Sequence, residues 1–192
     1  MKNDFNSSQH HLASSVMPLL LMLGLLFSLS TGSVLAQTTY TSNASDPNCG
    51  GFGNFWGDSD CWTGGAGFPD DVDHEAVIDN GDVIDFGDGS QNMFTATIGK
   101  LTIKDGRLSQ AFAAGSELTV DDSGIFDGSV TLNSSGSLGA TSLDGADFFN
   151  IKLDGDLVNN GDFGMQANDG VPTVTFSSGG AQEIRGTPSP KT

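Results

Sequence analysis

Carboxylates are the residues of this sequence best placed to do chemistry. Asp70, Asp71, Asp73 and Glu75 stand close together, with His74 among them. Asp79, Asp82, Asp85 and Asp88 then recur at every third position. Hard cations gather several oxygen ligands, so calcium is the metal such clusters could hold. The spacing argues against it. Neither cluster has the alternate carboxylates, central glycine and closing glutamate of an EF-hand loop. Gly50-Gly51-Phe52-Gly53-Asn54 opens like a calcium-binding nonapeptide, but Phe55 stands where that repeat needs aspartate. The plainer reading is that these aspartates close turns and keep the surface soluble. No metal ligand and no cofactor is assigned, and calcium is the ion to test.

Polysaccharide cleavage would need carboxylates converging on one cleft. A cationic base often assists. Past residue 36 the cations are Lys100, Lys104, Arg107, Lys152, Arg185 and Lys191. Lys104, Asp105 and Arg107 share one expected turn and could project together, although a lone charged turn is ordinarily solvated. Asp121 and Asp122 are adjacent, so in a strand they would point to opposite faces. His74 is the single histidine past residue 36, which supports a Ser-His-Asp triad poorly. No phosphate loop, dinucleotide fingerprint or nucleophile elbow is present. The expectation is a protein that is not an enzyme, with no catalytic residue. Trp56 and Trp62 are candidates for stacking on glycans. Their competing role is to cap the apolar end of the strands that follow.

The chain has 192 residues and a formal charge of −17. Phosphate backbones are bound through basic patches, so nucleic acid is not an expected partner. An anionic membrane surface is disfavoured for the same reason. Residues 1–36 read as a secretory signal peptide. Lys2 lies in a polar start, Leu19 to Leu29 is apolar but for Gly24 and Ser28, and Val34-Leu35-Ala36 precedes a cut at Gln37. The apolar run is shorter than the roughly 20 residues of a spanning helix. The expected location is secreted or cell surface, with no membrane insertion after signal cleavage. Cys49 and Cys61 are the two cysteines. In an exported chain an even count favours a disulfide between them.

The elements that must position these residues are short strands. Leu101/Ile103, Leu118/Val120, Val130/Leu132, Ile151/Leu153 and Val174/Phe176 each alternate with a polar or small residue, which puts the apolar pair on one face. A strand–glycine–strand unit recurs as Ile78-x-x-Gly81-x-Val83, Ile103-x-x-Gly106-x-Leu108 and Val158-x-x-Gly161-x-Phe163. One unit is too short to bury its own apolar face, but stacked units bury a continuous column. The expected fold is all-β, a right-handed parallel β-helix (β-solenoid) over residues 76–186. An irregular aromatic-rich N-terminal cap is expected over 37–75 and a tail over 187–192. The competing fold is an antiparallel β-sandwich. In the solenoid Leu101, Ile103 and Leu108 point into the core, with Lys104 and Arg107 outside.

The series Trp56…Cys61-Trp62…Pro69…Asp73…Val77-Ile78…Gly81 resembles the opening module of secreted right-handed β-helix proteins of bacteria. These are adhesin-like or autotransporter-like surface proteins, including those exported with a C-terminal sorting domain. Leu101-Thr102-Ile103-x-x-Gly106-x-Leu108 is similar to their first coil, and Thr173 to Gly186 is similar to a phrase that recurs in such coils. The resemblance covers residues 37–186. It implies a secreted or cell-surface structural, adhesin-like segment, non-enzymatic, whose partners are extracellular glycans or surface proteins. The alternative it leaves is a carbohydrate-binding or polysaccharide-cleaving β-helix. Thr187-Pro188-Ser189-Pro190-Lys191-Thr192 stands where such proteins lead into another coil. The expectation is therefore an N-terminal piece of a longer protein, or a truncated relative.

Overall fold

Side chains alternate across a strand, so Leu118 and Val120 fall on one face of Glu117–Val120 and are both buried. The same period organises the rest of the chain. The structure is a computed structural model that describes residues 36–50, 54–90, 92–109, 115–139, 150–164 and 173–187. The expected signal segment, apart from Ala36, lies outside the described residues. So do Gly51-Phe52-Gly53 and the tail from Pro188. Ala36–Thr192 forms one compact unit. Its described residues are all-β, with a single 3-10 turn at Ser59–Cys61.

The N-terminal strands are β1 (Thr38–Ser42), β2 (Trp62–Thr63), β3 (His74–Ile78), β4 (Asp82–Ile84) and β5 (Thr95–Ile98). There follow β6 (Lys100–Leu108), β7 (Glu117–Val120), β8 (Val130–Leu138) and β9 (Asn150–Leu153). The last are β10 (Leu157–Asn159), β11 (Asp162–Phe163), β12 (Val174–Phe176) and β13 (Ile184–Arg185). One sheet has the spatial order β13-β10-β8-β6-β3-β1-β2, with β4 also on β6 and β11 also on β8. The second has the order β12-β9-β7-β5. Every pair of these strands is parallel except β1 with β2. That pairing excludes the antiparallel sandwich. From β3 onward the chain passes back and forth between the sheets, with β3–β4 and β10–β11 staying together in the first, and each return lands one position further along.

In-register parallel pairing stacks like on like. Ala76, Leu101, Val130, Leu157 and Ile184 form one row of the first sheet. Ala96, Leu118, Ile151 and Val174 form a row of the second, and Ile98, Val120, Leu153 and Phe176 another. The first row is buried as far as Leu157, whereas Ile184 is 66% exposed. Burying one such aliphatic side chain contributes about 1.5–3 kcal/mol. These rows are the main apolar store of the fold.

Leu101, Ile103 and Leu108 are fully buried, Lys104 is outside, and Arg107 is half-buried rather than exposed. The turn expected at Asp105-Gly106 does not form. β6 runs through both residues and pairs with β8, with a register shift between Ile103 and Asp105. The irregularity bends the strand without ending it. Asn80-Gly81 likewise bends the chain without reversing it, because β3 and β4 on its two sides both run parallel to β6. Asn80 and Gly81 take φ of 59° and 75°, a region that these two residue types enter at low cost. The segment read as an irregular cap contributes β1, which pairs in parallel with β3 through Tyr40↔Ala76. β2 covers its other edge.

Candidate functional site

The aromatic segment is held from within. Cys49 and Cys61 form the expected disulfide, with Cα atoms 4.7 Å apart. Trp56 Nε1 donates to the Pro69 carbonyl at 2.9 Å, and Trp62 Nε1 donates to the Trp56 carbonyl at 2.8 Å. The indole rings meet edge-on at 5.0 Å, and Trp56 meets Phe86 at 5.6 Å. Such edge contacts suit the ring quadrupoles. Trp56 is 0% exposed and Trp62 5%. The possible glycan-stacking role of Trp56 and Trp62 is corrected by this burial: neither ring has a face open to a sugar.

The two carboxylate clusters noted in the sequence disperse. Asp71 Oδ1 accepts the Asp73 amide, and Asp73 Oδ1 accepts the Ile125 amide. Glu75 is paired with Lys100 at 3.7 Å and accepts the Thr102 hydroxyl. In the every-third series, Asp79 faces Lys104 at 3.7 Å, while Asp82 accepts the Ala44 amide. Asp88 accepts both the amide and the hydroxyl of Ser90, which hold its carboxyl below the usual range. Asp85 is pushed the other way by burial, against the opposing pull of a Ser109 hydrogen bond and the Arg107 charge. Each carboxylate serves a turn, a strand pair or a cation, and none of these residues forms a ligand set. The Lys104-Asp105-Arg107 group does not converge either, since Lys104 reaches back to Asp79.

A different group does converge. Asp121, Asp154 and Ser177 each follow the last residue of a strand of the second sheet, so the stacking of β7, β9 and β12 brings them into one line. The Asp121 and Asp122 carboxylates each place an oxygen within 4.8 Å of the other and of Asp154. Strand alternation does not separate the first two, because they lie beyond the end of β7. Asp154 accepts the Ser177 hydroxyl. A Ser123 hydrogen bond holds the Asp121 carboxyl below the usual range. Beside them lies an open groove of about 530 Å³, lined by Asp122, Asp127, Asp154, Asp156, Ser177 and Ser178 with the backbone of 179–181. Gln182 pins its far wall by donating to the Leu153 and Gly155 carbonyls at 2.9 and 3.0 Å.

The groove can accept hydrogen bonds from hydroxyl groups and can offer oxygens to a hard cation. Its lining has no ring, no cation and no histidine; the hydroxyl it presents at Ser177 donates to the Asp154 carboxylate. Sequence reasoning missed it because its walls come from three turns separated by strands. The available signal was positional: a carboxylate or hydroxyl follows Val120, Leu153 and Phe176 alike.

No family model, curated protein or solved structure matches the chain. No helix among the described residues is long and apolar enough to cross a membrane.

Proposed function

We propose that the chain is a right-handed parallel β-helix that serves as a secreted or cell-surface structural, adhesin-like segment without enzymatic activity. One observation carries this reading: from β3 onward the chain passes back and forth between two sheets whose strands from β3 on pair in parallel, and each return advances one position. The right hand follows from the strong bias of parallel crossover connections. The dispersal of most carboxylates into turns and ion pairs fits a scaffold better than a reaction centre. The N-terminal residues of the signal type and the acidic composition fit export.

The test has two arms. The full chain is expressed with a bacterial export pathway, and the N-terminus of the exported product is sequenced; Gln37 is expected. Beads carrying that product are then assayed for retention on glycan-coated and protein-coated surfaces, and its supernatant for release of reducing sugar from a polysaccharide panel. Retention without sugar release supports the reading. Retention of the whole product in the cytoplasm, or steady sugar release, overturns it.

The polar groove favours a second reading, a carbohydrate-binding segment. It predicts a glycan-array signal that Asp122→Asn and Asp156→Asn together abolish while the melting temperature holds.

A further inference from the structure

His74 begins β3, with its side chain 19% exposed. Its Nδ1 lies 3.2 Å from the Asp70 backbone nitrogen, which donates to it. An amide N–H can only donate, so Nδ1 must carry a lone pair and the ring is the neutral tautomer with its proton on Nε2. The same Nδ1 lies 3.6 Å from Asp70 Oδ1. A carboxylate makes the opposite demand, since it can only accept. One residue thus offers the imidazole two partners that suit opposite protonation states.

The turn that carries Asp70 is wired to its surroundings. Pro69 accepts Trp56 Nε1, Asp73 accepts the Thr38 amide through its carbonyl, and the Asp73 carboxylate accepts the Ile125 amide. On the other side of the imidazole is Tyr40, its ring 4.8 Å away and its hydroxyl donating to Ala66. The charged groups around the ring are Asp70, Asp71 and Asp73 on the turn and Glu75 on β3, the last engaged by Lys100 of β6. Tyr40 is the titratable group of β1 against it, and residues 123–125 that cap Asp73 carry no charge.

We propose that His74 is a pH-operated latch on the Pro69–His74 turn. Neutral, it accepts the Asp70 amide and holds the turn closed. When Nδ1 takes a proton from solvent it can no longer accept that amide, and it donates to the Asp70 carboxylate instead. The Asp70 amide is released, the adjoining Pro69 peptide rotates, and the Trp56 hydrogen bond to Pro69 loosens.

Tryptophan emission of the full chain reads the latch, because Trp56 is hydrogen-bonded to the moving turn. The wild type should show a one-proton change in emission between pH 8 and pH 5. His74→Asn keeps an oxygen acceptor near the Nδ1 position and cannot titrate, so its emission should stay flat. The same change in His74→Asn as in the wild type would overturn the latch, as would a flat wild-type profile. Nitrogen NMR of the wild-type imidazole at pH 8 provides a check that needs no variant to fold. An unprotonated Nδ1 is expected, and a proton on Nδ1 would sink the proposal.

Discussion

Gly136 of β8 lies in register with Gly106 of β6, and a Cβ on Gly136 would stand 2.3 Å from the Ile103 carbonyl oxygen. One strand further, a Cβ on Gly161 would stand 2.2 Å from the Gly136 carbonyl oxygen. At Gly106, Gly136 and Gly161 the glycine is therefore a steric requirement of stacking, because a backbone carbonyl occupies the Cβ position; Gly81 has nothing within 4 Å of its Cβ position and is set by its positive φ instead. Backbone cannot yield as a side chain can. Gly136→Ala should lose about 1–3 kcal/mol or more, the cost of overpacking. Gly179 has nothing within 4 Å of its Cβ position, so Gly179→Ala should stay within about 0.5 kcal/mol. Urea midpoints of the two variants check the pair, and equal losses would remove the steric account.

The Cys49–Cys61 bridge closes a short loop, with a sequence separation of 12. Closure of that size stabilises by about 3 kcal/mol in the chain-entropy model. The double variant Cys49→Ser, Cys61→Ser should fall by about that amount. Wild type in reductant should fall with it. A wild-type melting temperature indifferent to reductant would mean that the bridge contributes nothing.

Local pattern and tertiary assembly explain what the sequence revealed. The pairs Leu118/Val120 and Ile151/Leu153 were legible because strand alternation is written in neighbouring residues, and the structure buries all of them. The disulfide was legible because two cysteines admit one pairing. Asp105-Gly106 misled because the same dipeptide serves a turn or a bend, and only the β8 partner decides between them. β1 was hidden in a polar stretch of threonine and serine ahead of the aromatic segment, since its role depends on β3 lying beside it. The groove was invisible for a related reason. Asp122 and Asp154 are 32 positions apart in the chain and meet only because β7 and β9 pair.

Burial should grade the cost of truncation along a single row. Leu101 is fully buried between Ala76 and Val130, whereas Ile184 ends the same row in solvent. Leu101→Ala should lose about 2–5 kcal/mol, combining lost transfer energy with a residual cavity. Ile184→Ala should change stability by less than about 0.5 kcal/mol. Chemical denaturation of both variants measures the gradient. A large loss at Ile184 would mean that this end of the row is covered in solution, by another copy or by other chain.

Two aspartates on the same stretch should push stability in opposite directions with pH. Burial raises the Asp85 carboxyl above its unfolded value. The folded state therefore holds that proton more tightly, so its contribution is fully present below the unfolded range near pH 4 and declines as pH rises through the folded pKa. Asp88 is the reverse case, lowered chiefly by the Ser90 hydroxyl. Its contribution is present above the unfolded range and is lost as pH falls through the folded pKa. Asp85→Asn should gain on the wild type between pH 4 and pH 7, provided the amide keeps the Ser109 contact. Asp88→Asn should be less stable than the wild type by a near-constant amount from pH 4 to pH 7, with the gap closing only below pH 4, because the amide is a weaker acceptor for Ser90 than the carboxylate. Melting temperatures of the three proteins across that interval decide the matter. Parallel curves for Asp85→Asn and the wild type would mean that Asp85 is as well solvated in the folded state as in the unfolded chain.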